Sequence, residues 1–230
     1  MKKTWIAILT LALTGAASSL AQAETVTSVN AVGMVRITFI GGEYSQVNIP
    51  FEVDTSTTTI SDLFGDSLPQ NSVVLLWDIQ DQTYKQAVRG RSTWLNDAAF
   101  APLDRFDGMF VLASSGVNDV LFAGEVPDSR LEHQKSVTIA PGFNMLGNPF
   151  PVQMSLEDLN FEQAAQNDFI SVWSNNQWLN ISRGRTGWVS NSVDVNSFKL
   201  EPGQAFFYFS NRSVNDDWTW APLPTYSLHN

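Results

Sequence analysis

The stretches "RGRSTW" (89–94) and "RGRTGW" (183–188) write one pattern twice, 94 residues apart. Two arginines flank a glycine, and a tryptophan follows three residues later. The match extends outward on both sides. "GGEYSQVNIPF" (41–51) resembles "PGFNMLGNPF" (141–150), "ISDLF" (60–64) lies against "LEDLNF" (156–161), and "VVLLWD" (73–78) lies against "FISVWS" (169–174). Tyr84 then falls on Trp178, and "PLDRFDGMFVL" (102–112) on "FKLEPGQAFFYF" (198–209). The small changes in offset fall at turns, where a structural repeat tolerates insertions. The chain therefore reads as an internal duplication.

Most of each copy reads as strand. "GMVRITFI" (33–40), "VVLLWDI" (73–79), "GMFVLAS" (108–114), "DFISVWS" (168–174) and "AFFYFSN" (205–211) are short and rich in Val, Ile, Phe, Tyr and Trp. Gly, Pro, Asn or Asp bound them. "WSNNQWLNI" has the form of a hairpin around Asn175 and Asn176, since Asn tolerates positive φ. One short helix per copy is expected, over "TTTISDLFG" and over "SLEDLNFEQAAQN", where Ser155 and Asp158 have capping-box spacing. The fold class is all-β: two similar β-sandwich-like lobes, packed together or joined in one pseudo-symmetric sheet system.

The first residues read as a secretory signal peptide. "MKK" is a basic start, "TWIAILTLALTGA" an apolar run too short to span a membrane, and "SSLAQA" ends with cleavage spacing after Ala23. The expected organisation is signal peptide 1–23, β repeat 24–127, linker 128–135, β repeat 136–222 and tail 223–230. The style is bacterial, and the expected location is extracellular, at the cell surface or in the periplasm. Without Lys2 and Lys3, 11 basic residues face 23 acidic ones, a net charge of −12. Such a chain repels nucleic acid and anionic lipid, so neither is an expected partner. Cysteine is absent, so packing alone holds the core and thiolate chemistry has no residue to use.

The opening "SVNAVGMVRITF", the "GFNMLGNPF" turn, the "VWSNNQW" hairpin and the closing "LEPGQAFFYF" resemble a family of uncharacterised secreted tandem-repeat β proteins. These occur in bacteria of the planctomycete–verrucomicrobial kind. The resemblance covers nearly all of the chain after the signal peptide and implies two copies, but no established activity and no catalytic residues. The first copy departs from it, with "NIPF" for "GNPF" and "RFDGMF" for the Pro-Gly form.

Catalytic sets are scarce. His133 lies in the linker and His229 in the tail, so neither suits a triad or a zinc site. A glycosidase would need two converging carboxylates, from Glu157 and Asp158, Asp104 and Asp107, or Asp216 and Asp217. The first pair suits a helix cap better. No cofactor motif is present. Calcium is a weak expectation at 191–197 or 213–217, where Asx turns are the plainer reading.

Tryptophan is the better clue. Trp77 and Trp173 lie in apolar strands and read as core, while Trp218 and Trp220 share one strand face. Trp94, Trp178 and Trp188 have polar neighbours and read as partly exposed, in the manner of sugar-stacking rings. The candidate ligand-binding residues are therefore Arg89, Arg91, Trp94, Trp178, Arg183, Arg185 and Trp188. On a strand, Arg89 and Arg91 would share a face, as would Arg183 and Arg185. Trp94 and Trp188 would lie beneath a guanidinium. A framework role competes, in which Asp62 pairs with Arg89 and Asp158 with Arg183. The leading expectation is a non-catalytic structural or interaction protein whose partners are glycans or envelope and matrix proteins. A carbohydrate-binding module or adhesin is the alternative, and a carboxylate hydrolase the third.

Overall fold

The structure, a computed structural model, describes residues 31–127, 135–214, 216–222 and 226. The expected signal peptide, both histidines, most of the linker and nearly all of the tail lie outside the described residues.

The first half runs β1 (Val32–Ile40), β2 (Tyr44–Val47), α1 (Ile60–Phe64), β3 (Val73–Asp78), β4 (Thr83–Arg89), β5 (Trp94–Leu95), a 3-10 turn (Asp97–Phe100), β6 (Met109–Leu112) and β7 (Val117–Glu125). The second runs β8 (Val137–Ile139), β9 (Gly142–Gly147), β10 (Met154–Ser155), β11 (Phe169–Ser174), β12 (Gln177–Arg183), β13 (Trp188–Val189), β14 (Lys199–Leu200), β15 (Ala205–Ser210) and β16 (Trp218–Trp220). The first half builds a five-stranded antiparallel sheet in the order β2-β6-β3-β4-β5. The second builds β9-β15-β11-β12-β13, the same order strand for strand. A two-stranded layer, β1 with β7 or β8 with β16, covers the inner face of each. The fold is all-β, with two sandwich-like lobes.

Alternation along the strands divides the side chains between two environments. Val74, Ala87, Met109 and Val111 point into the first lobe's core with Phe39, Phe64, Val120 and Phe122. Ile170, Val172, Ile181, Phe206 and Tyr208 point into the second with Ile139, Trp218 and Trp220. The opposite faces meet between the lobes, where Phe110, Met145 and Phe207 are buried among Leu75, Trp77, Phe143 and Trp173. Trp77 and Trp173, expected in the lobe cores, belong to this junction. Each is an odd number of residues from the core-facing Val74 or Val172, so the pleat turns it outward.

The junction is pseudo-symmetric. Trp77 Nε1 donates to Phe143 O at 2.8 Å, and Trp173 Nε1 to Tyr44 O at 3.0 Å. Tyr44 pairs with Leu112 and Phe143 with Phe209, so the two acceptors hold corresponding places. Single bridges link Val47 with Gln204 and Asp107 with Leu146, one in each direction. Phe106 crosses into the second core, with its ring 5.7 Å from Trp220. Arg105, almost fully buried, pairs with Glu52 and lies 5.7 Å from the Phe150 ring. Burial lowers its pKa to about 10.

Among the described residues one α-helix is found where one per half was expected. Thr59 and Asp62 form a capping box on α1. Ser155 and Asp158 make the same bonds, with Ser155 N donating to Asp158 Oδ2 at 2.8 Å and Asp158 N to Ser155 Oγ at 3.2 Å. The second half then makes one helical bond, Leu159 N to Ser155 O at 3.1 Å, before Asn160 turns left-handed at φ 52°. The next residue, Phe161, is drawn into the core against Tyr208 and Trp220, so the segment remains a run of turns.

Candidate functional site

The repeated arginine stretch is a hairpin. Arg89 pairs across strands with Trp94, and Arg183 with Trp188, so their five-residue spacing is that of cross-strand partners. Gly90 N donates to Thr93 O and Gly184 N to Gly187 O, both at 2.8 Å. Arg91 and Arg185 therefore stand exposed in the turns and do not share a face with Arg89 and Arg183.

The two hairpins use their side chains differently. Arg89 is buried and pairs with Asp66, not with Asp62. Asp62 is held by Thr59 in the cap. Trp94, expected to be partly exposed, is 2% exposed. Its Nε1 donates to Gly65 O at 3.0 Å and its ring lies against Phe64, so no guanidinium stacks on it. In the second lobe Asp158 is held by Ser155 and is not the partner of Arg183. Arg183 lies over the Trp188 ring at 5.8 Å, and Trp188 packs on the edge of the core beside Phe161.

Of the seven candidates, only Trp178 lies on the open concavity at the junction of the lobes. This groove of about 650 Å³ runs along the junction. Trp178 is 42% exposed and Tyr84, its counterpart, 39%. Phe207 lies between them, with ring centroids 6.1 Å from Trp178 and 6.5 Å from Tyr84. Trp77 and Phe143 close one side. A smaller hollow of about 280 Å³ is lined by Tyr44, Tyr84 and Phe110 of the first lobe with Trp173 and Trp178 of the second. Burial, with Tyr44 nearby, raises the Tyr84 phenol pKa, so Tyr84 is a neutral hydroxyl at physiological pH.

The floor on the second lobe is polar. Trp178, Asn180 and Ser182 alternate along β12 and share one face, with Ser171 of β11 beside them. Ser171 Oγ donates to Asn180 Oδ1. Beyond Ser182 lies a hollow of about 360 Å³, lined also by Ser190, Asn191 and Ser192. The corresponding first-lobe positions are Leu75, Gln86 and Val88. The larger groove thus has an aromatic wall and a row of neutral hydroxyls and amides.

The carboxylates considered for hydrolysis lie elsewhere. Asp158 is in its cap, and Asp104 and Asp107 share a turn in which Asp104 N donates to Asp107 Oδ2 at 2.7 Å. Asp216 lies 3.7 Å from Arg212. Asp194, within the stretch considered for calcium, accepts from Asn196 N at 3.1 Å in an Asx turn. Among the described residues no three His, Cys, Asp or Glu gather as a metal site, and no helix is long and apolar enough to cross a membrane.

Sequence reading missed Tyr84, Tyr44, Phe110, Phe207, Ser171, Asn180 and Ser182. The two-residue alternation of "QWLNISR" held a signal for three groove positions, because Trp178, Asn180 and Ser182 must share a face. Nothing local to either copy says that the two outward faces meet. Neither a family model, nor a curated protein, nor a solved structure matches this chain.

Proposed function

We propose that this is an exported, non-catalytic interaction protein that holds a neutral glycan in the groove between its lobes, at the cell surface or in the surrounding matrix. The observation that carries this reading is the pairing of exposed Trp178 and Tyr84 with the row Ser171, Asn180 and Ser182. A pyranose ring presents an apolar C–H face and a rim of hydroxyls. Aromatic rings bury the first, and neutral hydroxyl and amide groups bond the second without the desolvation cost of a charge. The groove lining consists of aromatic, hydroxyl and amide groups, which suits retention better than acid–base chemistry.

The test is a screen of purified protein on neutral polysaccharides and a glycan array. Wild type is expected to bind a neutral oligosaccharide. Trp178→Ala removes an exposed stacking surface and should weaken binding about tenfold or more. It also removes ring contacts with Trp173, Phe110 and Phe207, so binding is measured well below the variant's own unfolding midpoint. Absence of any neutral glycan ligand for wild type overturns the reading.

A further inference from the structure

The two lobes present the same arginine in two states, and the first lobe shows what that position accepts. The backbones correspond. Arg89 N donates to Ser72 O at 2.8 Å and its carbonyl accepts from Asn71 N at 2.7 Å. Arg183 N donates to Asp168 O at 2.7 Å and its carbonyl accepts from Asn167 N at 2.9 Å. The side chains then diverge. In the first lobe the chain leaves α1 through Gly65, places Asp66 on the guanidinium of Arg89, and shuts the position under buried Trp94. In the second lobe the left-handed turn at Asn160 sends Phe161 into the core, and Glu162, which follows, is exposed and does not bond Arg183.

Arg183 has no ion-pair or side-chain hydrogen-bond partner among the described residues. It lines a groove of about 530 Å³ with Ser155, Glu157, Asn160, Trp188 and Asn196. The buried carboxylate of Asp168, whose carbonyl accepts from Arg183 N, is occupied, accepting from Ala165 N, Asn211 N and the Tyr208 hydroxyl. Cation and groove lie on the face of β12 opposite to Asn180 and Ser182, away from the junction groove.

We infer that Arg183 and Trp188 form a second binding site, which takes an external carboxylate where the first lobe uses Asp66. The surroundings narrow the ligand. Asn160 and Asn196 offer bonds to hydroxyls, which suits a uronic acid residue of a glycan. Glu157 and Glu162 also line the groove, and the chain carries a formal charge of −10. Both repel a dense polyanion. The ligand is therefore a glycan with isolated carboxylates and not a heavily sulfated one. A guanidinium meets a carboxylate through two parallel N–H bonds, a geometry that a neutral sugar cannot reproduce.

Calorimetric titration tests this with three probes: a hyaluronan hexasaccharide, the same oligosaccharide with its carboxyls reduced to alcohols, and a heparin hexasaccharide. The first should bind wild type, the second at least tenfold more weakly, and the third more weakly than the first. Arg183→Gln should lose at least tenfold for hyaluronan while keeping the wild-type unfolding midpoint. Trp178→Ala, in the other groove, should keep carboxylate-dependent binding, so failure here and failure of the neutral-glycan reading are separable. Equal binding of the reduced oligosaccharide, undiminished binding by Arg183→Gln, tighter binding of heparin, or no hyaluronan binding at millimolar concentration would each overturn the proposal.

Discussion

Asp66 neutralises Arg89 from the solvent side: the aspartate side chain is 90% exposed and the arginine side chain 7%. The asymmetry makes the two substitutions unequal. Asp66→Asn leaves a charge buried with little compensation, and the remaining guanidinium nitrogens Nε and Nη1 already have no hydrogen-bond partner. Arg89→Met removes the charge and keeps most of the volume, a replacement that is often neutral or stabilising. Asp66→Asn should therefore lower stability by about 1–2 kcal/mol, and Arg89→Met by less. Urea unfolding of the two variants checks the order, and a larger loss in Arg89→Met contradicts it. The sequence showed that Arg89 would seek a carboxylate in so acidic a chain. It pointed to Asp62 and missed Asp66, because the partner depends on which carboxylate the Thr59 cap has already taken.

Among the elements, the β4–β5 and β12–β13 hairpins explain the glycine between the arginines. A Cβ on Gly90 would stand 2.8 Å from Thr93 O, and one on Gly184 3.2 Å from Gly187 O. Neither glycine has a positive φ, so close approach of a carbonyl, and not backbone handedness, excludes a side chain. Gly90→Ala should cost about 1–3 kcal/mol. Gly184→Ala, where a shift of a few tenths of an ångström suffices, should cost less than half as much. Thermal unfolding of both variants measures the difference. Strand content, the "SNNQ" turn and both caps were legible, since each depends on neighbours within a few residues. The second helix was not: Phe161 ends it by entering a core built from β15 and β16, far along the chain.

At the scale of the whole molecule, the junction sets a pH dependence. Asp107 lies on the turn that bridges to Leu146 of the other lobe. Burial, with Asp104 nearby, raises its pKa to about 6 against a reference of 3.8. Below about pH 4 it is protonated in both folded and unfolded chains, and its full contribution to stability is present. As pH rises, the unfolded chain releases the proton first, so the folded state loses relative stability through pH 6. The loss is about 1–2 kcal/mol once partial solvent screening is allowed for. Asp107→Asn keeps an acceptor for Asp104 N and removes the titration. Its stability relative to wild type should rise between pH 4 and 7 and then level off, and urea midpoints across that range would show a flat difference if the assignment were wrong.

The sequence by itself determined the all-β class, the correspondence of the two halves and the hairpin at Asn175 and Asn176. These follow from two-residue alternation, turn residues and a repeated pattern, all of short range. Only the tertiary structure decided which faces meet. The alternation that buries Val74 and Val172 turns Trp77 and Trp173 outward, but whether an outward aromatic meets water or another lobe depends on contacts such as Trp173 with Tyr44, 129 residues apart. The same distance hid the groove, because its wall joins Trp77 and Tyr84 of the first lobe to residues of the second. It also hid the difference between Arg89 and Arg183, whose local sequences match while their surroundings do not.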